Sequence, residues 1–420
     1  MTEDEKRLPQ ELKEAILHQL YSAGDIQSLA TCASAHRSLY PVSQTYLFRD
    51  ISLRGSLPAC RLYQSLKESP RLISYVRVLH VEDSAEEWIV RSHEPPEIIS
   101  DVDNIQELHF HPSPIAYDML PSGLRDALLG TISLPSMRVL SLACVIDLPW
   151  NIFANMSRLQ DLRLSCVNFN EEERIELIDW SSSPIRLYAL TLDVNGVFFD
   201  DFAECIRRGR GQIFSVDRLR SLSLLMYGMR WQVGIPDLIA PCANTLESLE
   251  LGMLTASPAA DEPEDWDLHI PLPRLRLLAL RHVTITRFDP RHWVWLSRLL
   301  ADAPNVTHIA VEVQQPVPRL FCLTVLIERL AKVLVGDCAL PSLESFRIIS
   351  RSLHDMSYEY DQQDLEDLEW TLDVFRSSAV DVKITRSLTH GLVQPLLSMR
   401  GSAPSSLPGG KELDMRQAQR

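Results

Sequence analysis

Two histidines in the segment HFH, His109 and His111, have the spacing at which a β-strand presents both side chains on one face. Imidazoles placed in this way can share a metal ion, and His80 is expected one repeat away from them. No cluster of cysteines or carboxylates is organised around them in the sequence. We therefore interpret the histidines as a solvated pair, and the sequence predicts neither a bound metal nor another cofactor.

The other segments that suggest chemistry are HEPPE at 93–97 and RRGRG at 207–211. HEPPE lacks the second histidine of an HExxH zinc site and carries prolines where that motif requires a helix. RRGRG is basic, but a phosphate-binding loop needs more glycine and a helix directly after it, so we interpret the segment as a turn. GxSxG, GxxxxGK[ST] and GxGxxG do not occur in the sequence. The sequence therefore indicates that the chain is not an enzyme.

Charge and composition argue against several classes of partner. The chain has 41 Lys and Arg against 56 Asp and Glu, and its net charge of −15 repels nucleic acid and anionic lipid. The longest apolar run, 320–335, contains three charged residues, and residues 1–7 are charged where a secretory signal is apolar. The eight cysteines form no CxxC pair, which favours reduced thiols. These features predict a cytoplasmic and/or nuclear protein that binds neither nucleic acid nor membrane.

An apolar pattern, LxxLxL, repeats along the chain and predicts the strands that position these side chains. Successive copies begin 22 to 37 residues apart. The last two apolar residues of each copy alternate with polar or small residues, which is the period of a strand with one buried face. The eleven copies begin at Val76, Ile105, Met137, Leu159, Leu187, Leu219, Leu246, Leu275, Val306, Leu343 and Ala379.

Several stretches between these strands have the period of a helix, among them HWVWLSRLLADA and LFCLTVLIERLAKVL. A strand and a helix that repeat in this way bury their apolar sides only by stacking on their neighbours. We therefore predict an α/β solenoid over 76–385, with parallel strands on the concave face and helices on the convex face. A doubly wound α/β domain is the alternative, but its strands would be apolar on both faces. We further predict an acidic mobile loop at 256–273 and a tail at 386–420 that is disordered from about 400.

The first fifty residues follow a different pattern. Leu12, Ile16 and Leu20 fall at steps of four, which predicts a helix that begins near Pro9 and ends near Leu20. Gly24 and the N-cap Asp25 precede a second helix, and a third begins near Pro41. We assign 1–6 to a disordered leader, 7–53 to a small helical domain and 54–75 to a linking helix. Three helices in about 45 residues bury little surface, so a partner is expected to complete the burial.

Two segments carry a family resemblance. LPQELKEAILHQL, followed by DIQSLATCASAHRSLYPVSQTYLFRDISL, resembles the fungal form of the F-box motif, with its LPxEL opening and LFRxIxL ending. CRLYQSLKESPRLISYVRVLHVED resembles the stretch that joins such an F-box to leucine-rich repeats in many mushroom-forming fungi. Where the F-box family often has a tryptophan in the second half of the motif, this chain has Leu39.

The resemblance implies a Skp-type adaptor as partner, which links the chain to a cullin and a RING ubiquitin ligase. The chain would be the substrate-recognition subunit of that ligase, with its repeats holding a protein target. A non-catalytic leucine-rich-repeat scaffold without ligase function is the alternative, and Leu39 is the feature that suggests it. The adaptor contacts implied by the resemblance are Leu8, Pro9, Leu12, Ile16, Leu17, Leu20, Ile26 and Leu29, some of which are alternatively expected to close the three-helix core.

The target-binding surface is predicted from the strand pattern, because residues between the apolar positions face away from the core. The residue between the last two apolar positions of each copy would form one row across the sheet, with other polar residues beside it. The residues selected as target contacts are His80, His109, His111, Arg163, Asp193, Glu250, Arg281, His308, Arg347 and Lys383.

Overall fold

The computed structural model divides the chain into two compact units, Met1–Trp266 and Asp267–Arg420. The boundary between the units lies within the predicted acidic loop at 256–273. The residues that the structure describes are 9–83, 87–170, 184–195, 199, 202–203, 206, 213–227, 235–254, 270–283, 290–315, 340–352, 381–387 and 393–400.

Three short helices open the first unit: α1 (Gln10–Ser22), α2 (Ile26–Ala35) and α3 (Tyr40–Leu47). α1 starts after Pro9 and carries Glu11 in its first turn, where a negative charge is favourable. Gly24 adopts a φ of 71° between α1 and α2, and the Asp25 carboxylate accepts a hydrogen bond of 2.9 Å from the Ser28 amide. Each of the three helices contacts the other two. The helix starts predicted from the sequence are confirmed.

The next element is a strand, β1 (Asp50–Leu53), which pairs in parallel with β2 (Val78–Glu82). Between the two strands lie α4 (Ser56–Glu68) and a 3-10 helix over Pro70–Tyr75, in the place of the predicted linking helix. The expectation that 7–53 is purely helical is wrong, because its last four residues form a strand of the sheet. Leu53 explains the pairing, since its side chain is buried and lies beside Val81 in the register.

The remaining strands of the first unit follow in chain order, and all of their pairings are parallel. They are β3 (Glu107–His111), β4 (Ile115–Ala116), β5 (Val139–Ala143), β6 (Val145–Ile146), β7 (Asp161–Ser165), β8 (Ile185–Arg186), β9 (Ala189–Asn195), β10 (Phe214–Ser215), β11 (Ser221–Tyr227) and β12 (Ser248–Leu254). The main sheet of this unit has the order β1-β2-β3-β5-β7-β9-β11-β12. β4 pairs with β6, and β8 pairs with β10.

Further helices of the first unit lie between successive strands along the chain. They are α5 (Trp88–Arg91), α6 (Glu94–Asp101), α7 (Ser122–Ile132) and α8 (Ile235–Ile239), with 3-10 helices over Tyr117–Met119, Trp150–Phe153 and Ala240–Cys242. α4 contacts α6 and α6 contacts α7, so the helices pack in chain order as the strands do. The HEPPE segment starts α6, since prolines are tolerated in a first helical turn. The buried core comprises the apolar residues of the LxxLxL copies, such as Leu79, Leu108 and Leu140.

The second unit contains β13 (Leu277–Val283), α9 (Pro290–Ala301), β14 (His308–Gln315), β15 (Ser345–Ser352), β16 (Asp381–Ser387) and β17 (Val393–Arg400). β13 to β16 pair in parallel and in chain order. β17 pairs with β16 in the antiparallel direction, so the predicted tail is wrong for 386–387 and 393–400. The two strands can pair in this direction because only five residues separate them.

The last two apolar residues of each of the eleven LxxLxL copies lie on a strand that pairs in parallel with its neighbour, as predicted. α9 confirms the helix predicted for HWVWLSRLLADA. The predicted helix LFCLTVLIERLAKVL, the RRGRG turn and most of the acidic loop lie outside the described residues. The architecture is thus α/β with parallel sheets, whereas its assignment to leucine-rich repeats stays a prediction.

Gly252 in β12 tests the packing between neighbouring strands. A Cβ at this position would lie 2.1 Å from Leu225 Cδ2 and 3.1 Å from Leu225 Cα on β11. We expect Gly252→Ala to lower the free energy of unfolding by about 1–3 kcal/mol, since Leu225 must move. Gly130→Ala in α7 is the control: nothing lies within 4 Å of its Cβ, so a gain of about 0.5–1 kcal/mol is expected. Equal effects in urea denaturation would contradict the prediction.

Candidate functional site

Leu12, Ile16 and Ile26 form the N-terminal apolar set, three large side chains that the first two helices leave in contact with solvent. They are 51%, 50% and 50% exposed. Leu12 and Ile16 are one helical turn apart on α1, so they lie side by side. Ile26 is the first residue of α2. Unpartnered apolar side chains of this size on one small bundle are a feature of interaction surfaces.

The eight predicted adaptor contacts separate into exposed and buried residues. Leu17 and Leu29 are 1% and 0% exposed, so their assignment as surface contacts is wrong. They are instead core residues of the helices α1 and α2, which contact each other and α3. Pro9 is exposed and Leu20 is half-buried, while Leu8 lies outside the described residues.

Polar and aromatic contacts fix the orientation of α1. Lys13 Nζ donates a hydrogen bond of 3.0 Å to Ser38 Oγ, which ties α1 to the turn before α3. Tyr21 stacks on Tyr46 of α3 with 5.3 Å between ring centroids, and the guanidinium of Arg49 lies 5.6 Å from the Tyr21 ring. These contacts fix α1 against α3 and the turn before it, while Leu12 and Ile16 remain exposed. Leu39 is half-buried at the residue before α3.

A second candidate site is the polar face of the first unit's sheet. Parallel pairing in register aligns one residue of each strand into a row. The row consists of Ser52, His80, His109, Ser141, Arg163, Thr191, Ser223 and Glu250. In the second unit the equivalent row is Ala279, Ala310, Arg347 and Lys383. The alignment predicted from the LxxLxL spacing is confirmed within each unit, and its role in binding stays a prediction.

The three histidines form a compact group on this face. The rings of His80 and His109 stack with centroids 4.1 Å apart, and His109 meets His111 edge-on at 6.2 Å. His111 Nε2 lies 2.9 Å from Ser141 Oγ, a hydrogen-bond distance. Two carboxylates flank the group, with 3.5 Å between His80 Nε2 and Asp50 Oδ1 and 3.8 Å between His109 Nε2 and Glu107 Oε2.

Burial controls the charge of these histidines. His109 is only 8% exposed, so the expectation of a solvated pair is wrong: His80 covers one face of its ring. Burial lowers the pKa of His109 to about 4, and His80, Arg163 and His111 act in the same direction. Burial also lowers the pKa of His111. Both imidazoles are therefore neutral at pH 7. Among the described residues, no group of three His, Cys, Asp or Glu side chains is placed to hold a metal ion.

Beyond the histidines, two contacts on this face involve charged side chains. Arg163 Nη2 lies 2.6 Å from Asp161 Oδ2 on the same strand, and Ser165 Oγ donates a hydrogen bond of 2.7 Å to Asp193 Oδ2. Such pairs are worth little in stability but fix where charge is presented. These contacts fix the positions of Arg163 and Asp193 on the polar face.

The other predicted target contacts lie on later strands. Glu250 on β12 and Arg281 on β13 are half-buried, and His308 on β14 and Arg347 on β15 are exposed. Lys383 lies on β16, opposite Arg347 in the register. The sequence interpretation missed Asp50 as a member of the histidine group, because β1 was assigned to a helical module. The alternation of polar and apolar residues in DISL is the signal that identifies it as a strand.

Comparisons with known proteins do not identify a family for this chain. No protein-family model matches the chain, and no curated protein matches its sequence. None of the helices within the described ranges is long and apolar enough to cross a membrane. The fold and the two surfaces are therefore the basis for any functional conclusion, together with the F-box-like and repeat-like segments of the sequence.

Proposed function

We propose that this chain is the substrate-recognition subunit of a Skp/cullin/F-box type E3 ubiquitin ligase. α1 and α2 bind a Skp-type adaptor, and the polar faces of the sheets bind a protein target in the cytoplasm and/or nucleus. The observation that carries the proposal is the exposure of the N-terminal apolar set, Leu12, Ile16 and Ile26, on the helices whose sequence resembles an F-box.

The size of this set indicates how large the adaptor interface must be. Full burial of an apolar side chain contributes roughly 1.5–3 kcal/mol, and these three are already half covered. The set therefore supplies about 2–4 kcal/mol, while association costs at least about 4 kcal/mol. Pro9, Leu20 and further residues must contribute to a stable complex. The apolar set is then the centre of the interface, where single side chains matter most.

The connection between the two surfaces suits a receptor. β1 follows the three helices directly and pairs with β2, so the adaptor-binding helices and the histidine group belong to one compact unit. A ligase subunit of this kind increases the rate of transfer by holding its target near the reactive ubiquitin thioester. The chain itself is proposed to supply no catalytic group.

Direct binding to a purified Skp-type adaptor tests the proposal. We expect the full-length chain to bind, and the double substitution Leu12→Glu with Ile16→Glu to weaken binding at least about 100-fold, because two carboxylates would be buried without partners. Both positions are half exposed, so the double variant should remain folded by circular dichroism.

Met119→Glu is the matched control, since Met119 is an equally accessible apolar residue, 69% exposed, in a different part of the first unit. It should bind the adaptor like the parent chain. No binding by the parent chain would contradict the receptor proposal and favour the scaffold. Binding that the double substitution leaves unchanged would show that α1 is not the contact.

A further inference from the structure

Cys144 and Cys166 occupy equivalent positions in two neighbouring turns of the first unit. Each is the first residue after its strand, β5 or β7, and the preceding residues Ala143 and Ser165 are partners in the parallel register. The Cys144 amide donates a hydrogen bond of 2.9 Å to the Ser165 carbonyl, and the Cys166 amide donates one of 2.7 Å to the Asp193 carbonyl. The pairing of the strands thus continues into both turns.

The backbone of the two cysteines has the same unusual conformation. Their φ angles are 57° and 51°, in the left-handed region that residues with a Cβ rarely adopt. Because the two residues share this conformation on adjacent strands, their Cα–Cβ bonds point in similar directions. Adjacent strands lie about 4.8 Å apart, which is within the range of about 4.4–6.8 Å that disulfides span between Cα atoms.

Burial is the main cause that raises the pKa of the Cys144 thiol, and the neighbouring Cys166 thiol acts in the same direction. Cys166 is exposed whereas Cys144 is half-buried. A reagent from solvent therefore reaches Cys166 first, and Cys144 lies next to the sulfur that has reacted.

We propose that Cys144 and Cys166 form a redox-active dithiol that hydrogen peroxide converts to a disulfide. The Cys166 thiolate attacks one peroxide oxygen, the O–O bond breaks, and hydroxide leaves to take up a proton, so that Cys166 becomes a sulfenic acid. Cys144 then attacks this sulfur, the S–O bond breaks, and water leaves with the Cys144 proton. Two thiols and one peroxide give one disulfide and two waters.

The disulfide would covalently join two consecutive turns beside the ordered charges of the polar face. It closes the loop between the turns and so restricts the unfolded chain, which stabilises this part of the first unit. Ser165 and Asp193, whose backbone carbonyls accept the cysteine amides, lie directly at the crosslink. This modification is independent of the proposed adaptor contact, because it involves none of the N-terminal helices.

Treatment of the reduced full-length protein with hydrogen peroxide, followed by peptide mapping without reductant, tests the proposal. We expect a Cys144–Cys166 crosslinked peptide and an intact mass lower by two hydrogen atoms, reversed by dithiothreitol. Cys144→Ser should instead retain a sulfenic acid on Cys166 that dimedone labels. Cys60→Ser, at a half-buried cysteine of α4, should form the crosslink like the parent chain.

Absence of the crosslinked peptide, or pairing of Cys166 with a different cysteine, would overturn the proposal. The mapping of the parent chain needs no substitution, so the result does not depend on how well the serine variants fold. Adaptor binding measured on the oxidised protein separates this proposal from the previous one, since either can fail while the other holds.

Discussion

Replacement of Leu29 by Ala is expected to lower the free energy of unfolding by about 2–5 kcal/mol, a large part of the stability of a typical domain. Leu29 is fully buried in α2, so its truncation removes buried apolar surface and leaves a cavity in the core. Ile26→Ala is the matched control in the same helix. Ile26 is 50% exposed, so its truncation should cost less than about 1 kcal/mol.

Urea denaturation followed by circular dichroism measures both variants. The loss expected for Leu29→Ala is a shift of the midpoint with an unchanged slope. If Ile26→Ala were as destabilising as Leu29→Ala, Ile26 would be buried. This would contradict its place among the exposed residues of the N-terminal apolar set. Of these two variants, only Ile26→Ala is suited to binding experiments, because it is expected to change the adaptor contact without unfolding the three helices.

Acidification below about pH 6.5 is expected to destabilise the first unit through the histidine group. The pKa of His109 is about 4 in the folded chain and 6.5 in the absence of burial, so the unfolded chain binds more protons between these values. Stability therefore rises with pH in this window and is lost as the pH falls toward about 4. The loss due to His109 amounts to at most about 3 kcal/mol, and His111 adds to it in the same direction.

Comparison with His109→Gln isolates this contribution. The amide does not titrate, so the difference in free energy of unfolding between the two proteins should shrink as the pH falls from about 7 to about 4. Denaturation curves at several pH values provide the measurement. Parallel loss of stability in both proteins would contradict the assignment of the effect to the His109 imidazole.

The N-terminal helices show which structural features the apolar spacing of the sequence predicts and which it does not. Steps of four residues predict the helix and its apolar stripe, and Asp25 and Gly24 predict where the next helix begins. The same pattern does not separate Leu17, which is buried, from Ile16, which is exposed. Adjacent residues of a helix lie about 100° apart, and both are apolar, so only the positions of α2 and α3 decide which one faces the core.

The amino-acid sequence by itself determined the eleven strands and the row of polar residues across them. It did so because the LxxLxL spacing allows only one face of each strand to be buried, and a slip of one residue would expose every leucine. The tertiary structure alone decided which members of that row became buried, as for His109, and which cysteines became neighbours, as for Cys144 and Cys166. Those outcomes depend on which side chains surround each position in the folded chain. Strands more than twenty residues apart in the sequence supply those side chains, and the apolar spacing does not specify how closely they pack.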